Sequence, residues 1–274
     1  MGYETYFYLL LTSILGLSIG SFLNVVISRI PNKKSIAFPR SHCPSCKKNL
    51  MVFDLIPVIS WLILKGKCRY CGQPISYRYS IVETLTSIFF LIIAVDSNYI
   101  NNNNNSILIT IISGWVLISY LLSLTFIDIE HMILPNVLTI TGSFLGIIFT
   151  SAIHKNSLLI IENIKAYLVG LICFSLLAYF IKIIIGKPAL GMGDVKLFAM
   201  SGAWLGFSGL EISIVLSFLL AGTFSLIGLI FKSIKRGQYI PFGPFICLSI
   251  FLVWLLGDPF WYHYLNNIFW WRII

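Results

Sequence analysis

Of the 274 residues 58% are hydrophobic and 11% charged, with ten acidic side chains against nineteen basic ones. A soluble domain carries about 25% charged residues, so this chain lacks the polar coat of a water-soluble fold and is expected to face lipid. The formal charge of +9 does not point to nucleic acid, because the basic residues gather at the ends of apolar segments, as in membrane proteins.

A helical span takes roughly 20 apolar residues. The first candidate is Tyr6–Ile27. No basic residue precedes it and no small-residue cleavage site follows, so it is expected to persist as a helix rather than be removed as a signal. Its Gly16 and Gly20, four apart, suit close packing of two helices. Ten basic residues, from Arg29 to Arg78, then occupy residues 28–80. Basic residues near span ends mark the cytoplasmic side. The N-terminus is thus expected outside and residues 28–80 inside, as the one sizeable soluble segment.

Ile81–Val95, Ile107–Ile127, Ile133–Ile153, Ala166–Ile185, Leu210–Phe231 and Phe242–Leu256 continue the series, with the polar tract Asn101–Asn105 between two of them. Lys196–Phe207 is short and contains glycine. Alternation requires that it cross, or dip in and return as half of a re-entrant pair, if Lys232, Lys235 and Arg236 are to lie inside. Counting it gives eight spans. Sixteen basic residues then lie inside, among them Lys182, Lys187 and Lys196, and three outside: Lys155, Lys165 and Arg272.

Within the basic segment, Cys43-Pro-Ser-Cys46 and Cys68-Arg-Tyr-Cys71 are separated by 21 residues. Two such pairs fit a tetrahedral zinc site of the ribbon or knuckle type. Two disulfides or four idle thiols would be the alternative, and a reducing cytosol disfavours the disulfides. Gly66 and Gly72 suit the tight turns, and nearby lysines favour thiolates. Four thiolates close the coordination shell, so the zinc is expected to be structural, stapling a segment too small to fold unaided. His42 is a less fitting ligand. Cys173 and Cys247 read as packing residues in apolar spans.

Ionisable groups within or at the rim of spans are functional candidates. Asp128 ends the third span, and Asp194 lies in Gly191-Met-Gly-Asp194-Val-Lys196. The expected topology brings both to the cytoplasmic face. Two adjacent carboxylates share a proton, one as base and one as acid, which is what water attack on a peptide carbonyl requires. Gly191 and Gly193 permit a sharp turn and close approach to an extended substrate. Alternatively the aspartates are solvated helix-end charges, Asp194 capping the next helix. Glu83, Glu130 and Lys196 lie near the same face. Glu83 is a candidate partner for Arg78, and Lys196 is either a loop contact or an ordinary anchor.

Gly20-Ser-Phe-Leu-Asn-Val-Val-Ile-Ser-Arg-Ile-Pro31, the four cysteines, Ile75-Ser-Tyr-Arg-Tyr-Ser-Ile-Val-Glu83, Asp128, Gly191-Met-Gly-Asp194-Val-Lys196 and Pro241-Phe-Gly-Pro-Phe245 follow one another in this order. Together, over almost the whole chain, they resemble the bacterial type IV prepilin peptidases, also called leader peptidase/N-methyltransferases. Gly-x-Gly-Asp alone also marks presenilin-like and signal-peptide-peptidase-like proteases. The resemblance implies cleavage of the basic leader of type IV prepilins and pseudopilins after a glycine, at the cytosolic face of the bacterial inner membrane. It puts the catalytic aspartates at Asp128 and Asp194. It also implies methylation of the new N-terminus with S-adenosylmethionine, since the cysteine-bearing segment is typical of bifunctional members. Two positions depart from the family pattern: Leu134-Pro-Asn136, where Leu-Pro-Asp is frequent, and Tyr79-Ser80, where Tyr-Pro is.

The expected molecule is therefore an all-α integral membrane protein of about eight transmembrane helices with a small zinc-binding cytoplasmic insertion. Its parts are a first helix over 1–27, the zinc segment over 28–80 and a transmembrane peptidase domain over 81–274. Gly191, Gly193, Lys196 and Glu83 are its candidate loop or substrate contacts. Prepilins and the bilayer are its expected partners, and no nucleic acid is. A transporter or channel with a zinc-binding regulatory loop, or a non-catalytic pilin-assembly factor, are the rival readings.

Overall fold

The computed structural model describes residues 3–100, 104–154, 157–186, 190–235, 238–257 and 260. Lys155, Lys187, Arg236 and Arg272 of the charge tally, and Asn101–Asn103 of the polar tract, lie outside the described residues. The regular structure described is helical: α1 Tyr3–Arg29, a 3-10 turn Val52–Leu55, α2 Ile59–Ile63, α3 Arg78–Ile100, α4 Asn104–His131, α5 Asn136–His154, α6 Ser157–Ile185, α7 Met192–Ile230 and α8 Gly243–Leu256. Two isolated bridges, His42 with Asn49 and Lys67 with Pro74, lie in the cysteine segment. Six helices are long and apolar enough to cross a bilayer, and α8 is a shorter apolar one. The chain divides into two compact units, Met1–Ser123 and Leu124–Ile274.

In the first unit α1 and α3 pack antiparallel. A Cβ at Gly16 would meet Ser87 Cα at 2.6 Å, and one at Gly20 would meet Glu83 Cα at 2.6 Å. Further along, Asn24 donates its Nδ2 hydrogen to the Tyr79 carbonyl at 3.0 Å. The two glycines are thus where backbone meets backbone, as their spacing suggests. Phe90 stacks on Trp115 of α4 with centroids 5.0 Å apart.

In the second unit α7 is one 39-residue run only by name. Gly206 has φ 72° and ψ −166°, a region essentially reserved for glycine. The chain reverses there. Ser213 reaches Ser201 across 3.2 Å, and Phe198 stacks on Phe218 at 6.5 Å; both contacts require two antiparallel arms, because a straight helix rises about 1.5 Å per residue. Met192–Leu205 and Phe207–Ile230 therefore form a hairpin, which accounts for the short segment that alternation demanded and brings the helical crossings or arms to eight. Around its tip, Asn163 of α6 donates to the Ala203 carbonyl at 3.1 Å, and Trp204 donates to the Gly142 carbonyl of α5 at 2.9 Å.

Several helices run a few residues past their expected bounds, and two starts differ in an instructive way. α5 starts at Asn136 rather than Ile133, because the residue before Pro135 is pushed out of the helical region. α6 starts at Ser157 rather than Ala166. Its early turns carry Glu162 and Lys165, which are exposed, and Asn163, whose buried amide is satisfied by the Ala203 carbonyl, so none of them stops the helix.

Candidate functional site

The end of α4, the starts of α5, α7 and α8, and the loops before them converge at one end of the second unit. The contacts that fix this are specific. Asp128 lies on the last turn of α4 and is 6% exposed. Its Oδ2 accepts the backbone N–H of Gly243, at the start of α8, at 2.9 Å. A Cβ on Gly243 would lie 2.7 Å from that same oxygen, so only glycine lets the helix start come this close. Gly243 is held there by its neighbour. Phe242 packs on Phe198 at 6.1 Å and on Phe218 at 5.2 Å, one ring from each arm of the hairpin. Phe174 of α6 backs Phe198 at 4.6 Å.

Asp194 is the third residue of α7, behind the N-cap Gly191. Its carboxylate accepts the Gly191 N–H, the reciprocal half of a capping box. The N-cap is thus Gly191, and Asp194 sits inside the first turn rather than capping the helix. The contact with Gly191 does not consume the group, because the Asp128 and Asp194 carboxylates are also near enough for their charges to interact. A Cβ on Gly191 would fall 3.2 Å from Asp194 Oδ2.

The remaining sequence candidates separate. Gly193 packs on Leu134, where a Cβ would meet the Leu134 Cβ at 2.9 Å. Lys196 donates from Nζ to Asn136 Oδ1 at 2.6 Å. The amide at the departing position 136 therefore takes a neutral hydrogen bond from the lysine where a carboxylate would form an ion pair. Glu83 belongs to the first unit. Its Oε2 accepts the Val58 N–H at 2.7 Å, and Ser21 also bonds it. Arg78 lies over the Tyr79 ring at 4.8 Å. Glu130 has His131 at 4.0 Å.

Two residues of the carboxylate centre escaped the sequence reading of roles. Gly243 was visible only as part of a motif, without a task. Cys247, one turn into α8, is buried with its thiol against Thr125 and the two aspartates close by. The periodicity of α8 from Gly243 is the signal that would have put Cys247 beside the site, since residues four apart share a helix face.

The cysteine cluster is a separate centre in the first unit. The sulfurs of Cys43, Cys46, Cys68 and Cys71 all lie within 4.8 Å of one another, and Cys43 Sγ is 3.9 Å from Cys71 Sγ. Zinc–sulfur bonds of about 2.3 Å give tetrahedral edges of about 3.8 Å, so the donor set fits the metal. Each pair sits on the same turn. The Cys43 and Cys68 carbonyls accept the N–H groups of Lys47 and Gly72, and their own N–H groups donate to the Lys48 and Gln73 carbonyls. The residue four beyond the first cysteine has positive φ in both turns, 56° at Lys47 and 69° at Gly72. The Cys46 N–H, with other local donors, draws the Cys43 thiol down to about 6. The Gln73 N–H acts the same way on Cys71, but desolvation and the three neighbouring sulfurs win and push it up to about 11.

Residues 14–97 match the bacterial peptidase A24 N-terminal domain, and residues 115–226 match the type IV leader peptidase family. The chain is 38% identical over 263 residues to the type 4 prepilin-like proteins leader peptide-processing enzyme of Escherichia coli, covering 88% of this chain and 90% of that one. It is 32% identical to the prepilin leader peptidase/N-methyltransferase of Aeromonas salmonicida, covering 95% of each. The protein of the same name from Legionella pneumophila is 33% identical over 94% of this chain and 95% of its own. No solved structure matches.

Proposed function

Because the chain belongs to the type IV leader peptidase family, we propose that it is a multi-pass membrane aspartyl endopeptidase that removes leader peptides from type IV prepilins and pseudopilins. In this reading Asp128 and Asp194 are the catalytic pair. One ionised carboxylate takes a proton from water as the water oxygen attacks the scissile carbonyl carbon. The other, protonated, gives its proton to the carbonyl oxygen. The tetrahedral intermediate collapses as the leaving amine regains a proton. Neither aspartate becomes bonded to the substrate. The Gly243 N–H steadies Asp128 through Oδ2, leaving its other oxygen for water. The Gly191 N–H does the same for Asp194.

The observation that carries the reading is the convergence of two carboxylates from α4 and α7, with interacting charges, at the shared end of one unit. The family match disfavours the transporter alternative. The site is proposed to face the cytoplasm of a bacterial inner membrane, supported by the sixteen-to-three asymmetry of basic residues. Gly191, Gly193 and Lys196 shape the mouth of the site, with Gly193 and Lys196 tying α7 to Leu134 and Asn136. Glu83 acts in the first unit, holding the cysteine segment through Val58.

The four cysteines would hold a structural zinc ion, which has no open coordination position for chemistry. The second activity in the relatives' names is proposed for this chain too, with S-adenosylmethionine as methyl donor to the new N-terminal amine. Mass spectrometry of a co-expressed prepilin tests both steps, since it reads the cleavage position and any added methyl group together. An uncut prepilin beside well-inserted enzyme rejects the peptidase assignment. A cut but unmethylated product rejects only the transfer.

A further inference from the structure

The cysteine segment carries an apolar surface that neither the zinc nor the aspartates use. Between the two cysteine pairs, Met51, Val52, Phe53, Ile59, Leu62 and Ile63 are all exposed, Val52 at 79%, Phe53 at 71% and Ile63 at 72%. A groove of about 300 Å³ runs through this surface, lined by the apolar Phe53, Ile56, Ile59, Ile63 and Leu64 together with Ser60 and Arg69. Contiguous apolar surface of this kind marks an interaction site.

Its position says what it meets. The Val58 N–H is bonded to Glu83, five residues inside α3, which begins at Arg78. Glu83 in turn packs on Gly20 of α1, whose helix continues to Arg29. The start of α2 is therefore tied to a residue about 7.5 Å along the α3 axis from its first residue, at 1.5 Å per residue. With α1 and α3 as spans, this puts the apolar surface beside the ends through which they leave the bilayer. Val58 takes φ 60° and ψ −50° to remain there, a costly conformation for a β-branched residue. Directly after the apolar run come the exposed Lys65 and Lys67, while Arg69 is taken by Asp54 of the run itself at 2.7 Å, which cancels the one acid there. Apolar side chains at interfacial depth with cations beside them are the chemistry of an anionic lipid surface.

We propose that residues 51–64 form an interfacial foot, docked on an anionic bilayer surface, that seats the cysteine segment against the membrane at the mouth of α1 and α3. The foot needs only that α1 and α3 span the membrane, and so stands apart from the catalytic assignment. The test uses full-length protein with the photoreactive residue p-benzoylphenylalanine in place of Phe53 or, separately, Ile63. It is reconstituted in vesicles of equal parts phosphatidylglycerol and phosphatidylcholine with a prepilin present, irradiated, and read by mass. The same label in place of Phe7, on the exposed side of α1, reports reconstitution. Lipid adducts are expected at 53 and 63, with yields falling about five-fold in phosphatidylcholine alone, the factor that one basic side chain near a charged surface supplies. Adducts at 7 with none at 53 or 63 overturn the proposal. So do adducts to the prepilin, which make the surface a substrate dock, or adducts within the chain itself.

Discussion

The cysteine cluster and the carboxylate centre are built by opposite means. The four sulfurs come from two copies of one tight turn, and each turn closes on itself through its own backbone hydrogen bonds. The two carboxylates come from the end of α4 and the start of α7; the start of α8 supplies the donor to Asp128, and the start of α5 ties α7 through Asn136 and Lys196. The first centre needs little beyond local geometry and a metal. The second needs four helix ends held in register by side chains that have no chemistry of their own. Damage to the first should therefore show as loss of folded segment, and damage to the second as loss of rate in a protein that still folds.

Mutating the acids gives the largest contrast. Asp128→Asn or Asp194→Asn should lower prepilin cleavage at least about a thousand-fold, the upper range of general acid–base contributions, while bound zinc stays at the wild-type level. Full activity of either variant in detergent removes that residue from the catalytic role. Gly243→Ala comes next. Its Cβ collides with Asp128 Oδ2, and a displacement of that size should slow cleavage about a hundred-fold with insertion unchanged. A wild-type rate in this variant means that α8 shifts freely and does not position the acid. Loss of the Lys196–Asn136 bond in Asn136→Ala should cost about five-fold in rate, one hydrogen bond's worth. Restoring activity with Asn136→Asp shows that the contact, rather than the amide itself, matters. Cys43→Ser should have the smallest effect on cleavage per folded molecule, within about two-fold, yet should remove the zinc and lower the yield of intact protein. Zinc content equal to wild type in that variant rejects the metal site.

The cysteine centre was legible in full because spacing within a turn is a local property. Even its second glycine had a visible purpose, although the equivalent backbone conformation at Lys47 did not. The aspartates were legible as rare charges among apolar residues, but their supports were not. Gly243 bonds a residue 115 positions away, and nothing in a single sequence reports such a pairing. Hydropathy also hid the α7 hairpin, since Gly206 is one glycine among many, and only the parity of the basic residues suggested that the chain had to turn back. It started α6 only at Ala166, because a stretch holding a buried amide that Ala203 satisfies looks, in sequence, like a loop.

The reversal at Gly206 bears on how the protein is made. The first arm of α7, Met192–Leu205, has 14 residues and is only about 21 Å long, too short to hold a place in a hydrocarbon layer about 30 Å thick. During synthesis Asp194 therefore emerges on an arm that cannot stay in the membrane until the 24 residues of Phe207–Ile230 follow and fold back along it. Nascent chains stopped between the two arms should leave the membrane face of Asp194 open to water-soluble probes, and chains extended past Ile230 should close it.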